Sequence, residues 1–148
     1  MGKHEFAKSF RDLIVYQKAR SVSQRVFVLS KAFPCEERYS LTDQGRRSSR
    51  SVGAQIAEAW AKRRYPNHFA SKLTDADGEQ NETQHWIETA VDCEYLKQTE
   101  ADVVIGELQE VGRMLGSMIS RADDFKGTGH GRVREDSAPY GSLDEFFG

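Results

Sequence analysis

The chain has no long apolar run. No stretch approaches the ~20 apolar residues of a membrane-spanning helix, and charged residues make up 30% of the 148. With a mean hydropathy of -0.67, this is the composition of a water-soluble protein that makes no use of a membrane. The opening Met-Gly-Lys-His-Glu-Phe lacks the apolar region of a secretory signal, so a cytoplasmic location is expected. Cysteine is scarce. Cys35 and Cys93 have no CxxC spacing, which reads as two reduced thiols rather than a disulfide or a metal site. Also absent are strand-like alternation and any 20–50-residue repeat.

Catalytic patterns are missing too. Glu82-Thr-Gln-His85 is a single Glu-x-x-His, whereas carboxylate-bridged di-iron bundles use two, plus a glutamate from each remaining helix. Glu58 could add one ligand, but His4, His68 and His130 fall in ends or breaks. Ser48, Ser49 and Ser51 lack a nucleophile elbow. Cys93 sits between Asp92 and Glu94, the wrong surroundings for a reactive thiolate. No glycine-rich phosphate loop occurs, and the glycines near the C-terminal third lack Walker spacing. No enzyme, cofactor or metal follows from these residues.

What is present is helical periodicity. Leu41 to Arg64 reads as one helix, with Thr42 or Asp43 as its cap. Leu41, Gly45, Ser48, Val52, Ile56 and Trp60 share a face through alternating steps of four and three. That face is thin, so close approach by neighbouring elements is expected. Before it, Val15, Ala19, Val22, Val26, Leu29 and Phe33 give a seam for a helix from Phe10 to Phe33, ended by Pro34. A third helix is expected from about Asn67 to Leu96, with Pro66 suited to its first turn. Its polar middle holds Gly78, and a loop there dividing two short helices is the rival reading. Ala76, Gln80 and Thr83 extend the line from Leu73 to Ile87 and should face inward, with Gln55 and Gln80 pairing in the core. A fourth helix, capped by Thr99 and running to about Ala122, has Val104, Leu108, Val111, Leu115, Met118 and Ala122 as its seam. Gly106, Gly112 and Gly116 within it imply that a neighbour packs on its backbone, because each costs about 1 kcal/mol against alanine.

Together these predict an all-α fold, an antiparallel up-down-up-down four-helix bundle with a disordered C-terminal tail. The expected division is a flexible N-terminus over 1–9, the bundle over 10–125 and the tail over 126–148. The tail ends in Ser-Leu-Asp-Glu-Phe-Phe-Gly. Two phenylalanines beside two acids could form a docking motif, although stray aromatics on a tail are the plainer reading.

Charge is segregated. Residues 1–64 carry a balance of +8 and residues 65–148 a balance of -10, for a net of -2. Arg46 and Arg50 are four apart on one side of their helix, with Arg47 adjacent. With Lys62, Arg63 and Arg64 they are the candidate nucleic-acid-binding residues, able to neutralise phosphates without reading bases. The same charges could instead pair with the acidic third and fourth helices, or serve subunit contacts in a protein–protein scaffold. A basic side and an acidic side favour head-to-tail association, which closes into rings or runs on as filaments.

Several segments resemble one family. Phe10-Arg-Asp-Leu with Tyr16-Gln-Lys-Ala19 is similar to the opening of the small bacterial four-helix-bundle proteins found as products of intervening sequences in 23S rRNA genes. Phe33-Pro-Cys-Glu-Glu-Arg-Tyr-Ser-Leu-Thr-Asp-Gln44 resembles that family's first turn. Arg46-Arg47-Ser-Ser-Arg-Ser51-Val and Gln55-Ile-Ala-Glu58 resemble its second helix. Glu110 to Ile119 is similar to the last helix of the accessory variability proteins of diversity-generating retroelements. The resemblance implies a homopentameric ring with a basic surface, RNA in preference to DNA as ligand and, for the retroelement branch, a reverse transcriptase as partner.

Overall fold

A computed structural model describes residues 9–127 and 142–148 of the chain. Ser9 begins it. Its hydroxyl accepts from the Arg11 N–H at 3.2 Å, and its own N–H donates to Asp12 Oδ2 at 3.3 Å. This reciprocal cap holds a short 3-10 turn, Phe10–Asp12. Ser9 thus caps the first turn, and the rest of the expected flexible segment, 1–8, lies outside the described residues.

Four helices follow, α1 (Ile14–Ser30), α2 (Leu41–Ala61), α3 (Pro66–Asp92) and α4 (Gln98–Ser120). Each packs on the next, and α4 returns to α1, which closes the up-down-up-down bundle. The predicted seams are its core. Val15, Ala19, Val22 and Val26 are buried in α1, all six predicted face residues in α2, and Val104, Leu108, Val111, Leu115 and Met118 in α4. In α1 the seam drifts at its end, where Ser30 is buried and Leu29 and Phe33 only half so. A straight helix turns about 20° per heptad away from a 3.5-residue repeat, enough to pass the seam to a neighbour.

The helix ends depart from expectation for local reasons. Ser40, rather than Thr42 or Asp43, precedes the first turn of α2, and its hydroxyl donates to Glu37 Oε1 at 2.7 Å instead of capping. α2 stops at Ala61, three residues short of Arg64, and Tyr65 takes extended backbone before Pro66, which itself opens α3. Lys97, not Thr99, precedes α4, its N–H donating to Glu100 Oε1 at 3.1 Å. α3 ends in a left-handed residue, Glu94 at φ 65°. The Tyr95 N–H reaches back to the Ala90 carbonyl at 2.8 Å and that of Glu94 to Val91 at 2.9 Å, a Schellman closure usually made by glycine.

α3 is unbroken through Gly78, so the rival loop does not exist. Gly78 is exposed, and the cost of one glycine is outweighed by burying Ala76, Gln80 and Thr83 around it. Those three face inward as expected. The pairing of Gln55 with Gln80 is not found. Gln80 donates to Asp77 Oδ1 at 2.8 Å and accepts from Gln84 at 2.7 Å, all within α3, while Gln55 accepts from Lys72 at 3.3 Å. Gln80 faces α4, where a Cβ on Gly112 would stand 2.8 Å from its Nε2. The polar link between α2 and α3 is instead Ser48 with Thr83, hydroxyl to hydroxyl at 2.8 Å and buried. This pair lies between two apolar clusters. One holds Trp60, Phe69, Leu73 and Leu115; the other holds Val22, Leu41, Ile87 and Leu108.

Only Gly112 among the three α4 glycines receives a neighbour; nothing stands within 4 Å of a Cβ at Gly106 or Gly116. Gly116→Ala should therefore stabilise the protein by up to about 1 kcal/mol. Gly112→Ala should destabilise it by displacing the buried Gln80 amide. Urea unfolding of the two variants is the check; equal shifts would place Gln80 wrongly.

The largest departure is at the C-terminus. The expected disordered tail spans 126–148, of which 128–141 lie outside the described residues. Its last part is ordered. Ser142 caps a 3-10 turn, Leu143–Phe146, and Leu143, Phe146 and Phe147 are 2, 3 and 5% exposed. Phe146 and Phe147 meet Phe125 with ring centroids 5.2 and 6.4 Å away, and Phe147 meets Trp60 at 6.1 Å. Phe147 bridges Leu13 in antiparallel fashion, and the Gly148 N–H donates to the Asp12 carbonyl at 2.9 Å. Arg121 ties Asp124 at 3.1 Å to Glu145 at 2.7 Å. The segment is a lid of the core, because the end of the bundle leaves an apolar slot that aromatic side chains fill.

Candidate nucleic-acid interface

The predicted basic residues form two groups. Arg46, Arg47 and Arg50 lie in the first half of α2. Lys62, Arg63 and Arg64 follow its last turn, about 18 Å or more away at 1.5 Å per residue.

The first group is built into a surface. Arg46 is half-buried. Its Nε donates to Ser30 Oγ at 2.8 Å, and its guanidinium lies 4.7 Å from the Phe27 ring centroid. Arg50 covers the same ring at 5.5 Å. One α1 phenylalanine thus carries two arginines: Arg46 is held by Ser30 as well as by the ring, and the exposed Arg50 by the ring alone. Among the described residues neither has a carboxylate within ion-pair distance. Arg47 differs. It reaches Gln44 Oε1 at 3.2 Å and Glu82 Oε2 of α3 at 3.6 Å. The three line a shallow depression with Arg38, Tyr39, Thr42 and Asp43.

Arg38 and Tyr39 escaped the sequence reading. They sit in the short connection after Pro34, which looked only polar. The signal available was an arginine–aromatic pair directly ahead of an arginine-rich helix.

The second group is looser. Arg63 is buried, at 8% exposure. Its Nη1 donates to the Trp60 carbonyl at 2.8 Å and its guanidinium stacks on the Trp60 ring at 4.3 Å. Burial, and then the charge of Arg64, hold it below the usual arginine pKa. It serves the core end of the bundle, leaving Lys62 and Arg64 exposed beside Tyr65.

Elsewhere the charge segregation is partly consumed inside the chain. Lys18 pairs with Glu110 at 2.9 Å and Arg25 with Glu107 at 2.6 Å across α1 and α4, and Lys72 pairs with Glu58 at 2.9 Å across α3 and α2. Behind Arg47, burial and then the charge of Glu82 raise the Glu79 carboxyl above its ordinary value, with Arg47 opposing. Glu82 itself accepts from Trp86 Nε1 at 3.2 Å. Three ligand-type side chains converge nowhere among the described residues. No helix of the described chain is long and apolar enough to cross a membrane.

The fold and the arginine depression define a small antiparallel four-helix bundle with a preorganised cationic flank. The chain belongs to the 23S rRNA-intervening sequence protein family, whose sequence profile matches residues 11–117. It is similar to a crystal structure, at 1.70 Å, of a protein of unknown function from the S23 ribosomal protein family of Bacteroides thetaiotaomicron. The two share 29% identity with a TM-score of 0.65, over 72% of this chain and 98% of that one. No protein of curated function matches.

Proposed function

We propose that this protein is a non-enzymatic, oligomeric accessory protein of the cytoplasm that binds nucleic acid, RNA in preference to DNA, through the α2 flank. The observation that carries the reading is the pair Arg46 and Arg50, set over the Phe27 ring and, among the described residues, without a carboxylate in ion-pair distance. Guanidiniums held this way suit phosphate oxygens, to which they donate in a forked geometry. The family's name, which ties it to 23S rRNA genes, supports RNA as the ligand. The α4 resemblance to retroelement accessory proteins supports a reverse transcriptase as the protein partner. Filter binding with structured RNA and duplex DNA of equal length tests the ligand. RNA retained at lower protein concentration is expected; retention of neither would end the reading.

The assembly is expected to be a homopentameric ring. Head-to-tail contacts set the basic side formed by α1 and α2 of one subunit towards the acidic α3–α4 side of the next, away from the Arg46, Arg47 and Arg50 depression. Exposed ion pairs contribute only about 0–1 kcal/mol each, so association should weaken moderately in high salt. Size exclusion with light scattering at low and high salt reads the mass. A species of 16.8 kDa under both conditions would remove the ring.

A further inference from the structure

Tyr39 has no role in the bundle. At 83% exposure it is the most exposed large side chain with hydrophobic character among the described residues. The segment that carries it is nonetheless ordered. The Arg38 N–H donates to the Cys35 carbonyl at 3.1 Å, and that of Ser40 to the Glu37 carbonyl at 3.0 Å. The ring is presented by a fixed turn, with the Arg38 guanidinium 5.3 Å from its centroid. It lines the same depression as Arg46, Arg47 and Arg50. The other end of α2 repeats the composition. Tyr65, at 63% exposure, stands beside the exposed Lys62 and Arg64, its ring 5.8 Å from that of His68.

We infer that the α2 flank takes unpaired nucleotides, with Tyr39 stacking on a base while Arg46, Arg47 and Arg50 hold the adjoining phosphates. The inference rests on the nucleic-acid reading above and names the form of ligand. Phosphate contacts alone do not distinguish paired from unpaired strands. A protruding ring does, because duplex bases keep their faces against one another and only a loop, bulge or single strand offers a free face. Stacking on an aromatic ring tolerates any base, so the site selects unpaired structure rather than sequence. Arg38 against the ring adds a cation at the edge of the stack.

The test is fluorescence anisotropy of the full chain at fixed salt, with a labelled unstructured RNA 16-mer and a labelled fully paired RNA duplex. Tyr39→Ala should weaken single-strand binding by about 5- to 100-fold and change duplex binding less than about twofold. Tyr39→Phe should restore single-strand affinity, because it keeps the ring. Tyr39 packs on nothing in the core, so its variants should melt as the parent does. Equal losses on both RNAs, or no loss on either, would overturn the stacking role and leave the arginine interface standing. Failure of the parent protein to bind either RNA would overturn the interface and the stacking role together.

Discussion

Phe146→Ala is expected to lower the stability of the bundle by about 3 kcal/mol, the low end of the range for a buried aromatic. Phe146 is 3% exposed and packs edge-on against Phe125, which is itself 0% exposed. The cost should stay at that end, because a terminal segment can undock when its anchor fails, and the loss cannot exceed the free energy of docking. Deletion of residues 142–148 should consequently cost about the same as the single substitution. Either change uncovers Leu13, Trp60 and Phe125, so the deleted protein should also bind a dye that reports exposed apolar surface. Urea unfolding gives the comparison. A shift below about 0.5 kcal/mol in both variants would show that the segment is not part of the folded core.

Arg46→Ala/Arg47→Ala/Arg50→Ala is expected to weaken RNA binding by about 100-fold or more at moderate salt, since charge-assisted bonds are each worth about 1.5–3 kcal/mol. The salt slope should fall by about two to three, one phosphate contact per arginine. Arg47 has a second role, because it opposes Glu82 at 3.6 Å and, behind it, the partly buried Glu79 carboxyl. The variant Arg46→Ala/Arg50→Ala leaves that pair intact and should still show most of the loss. A triple variant that loses assembly, rather than RNA affinity alone, would favour a protein–protein scaffold without nucleic-acid binding, in which these charges serve subunit contacts.

The helices were legible in the sequence wherever a seam of apolar residues repeated, as in α4 from Val104 to Met118. Their ends were less so, because the Ser40 hydroxyl turns to Glu37 instead of capping α2, and Lys97 and Glu94 stand where other residue types usually do. The inward turn of Gln80 could be read from the line Leu73 to Ile87, but not its neighbour. Its environment is set by Gly112, and of three similar glycines only the fold distinguishes that one. The docked C-terminus depends on a slot assembled from Leu13, Trp60 and Phe125, residues far apart in the chain, so its two phenylalanines suggest docking without showing where they dock. For the site, spacing alone brought Arg46, Arg47 and Arg50 together. The spacing groups Arg63 with Lys62 and Arg64, but does not show that its guanidinium turns back onto the Trp60 carbonyl and ring. Arg38 and Tyr39 join the site across a turn that has no periodicity to read.

The most direct test of the interface is the salt dependence of RNA binding by the parent protein. The logarithm of the binding constant should fall linearly with the logarithm of salt concentration, and the slope should be shallower by about two to three in the triple arginine variant. A binding constant that does not change with salt, or a slope the same in both proteins, would contradict an interface built on Arg46, Arg47 and Arg50.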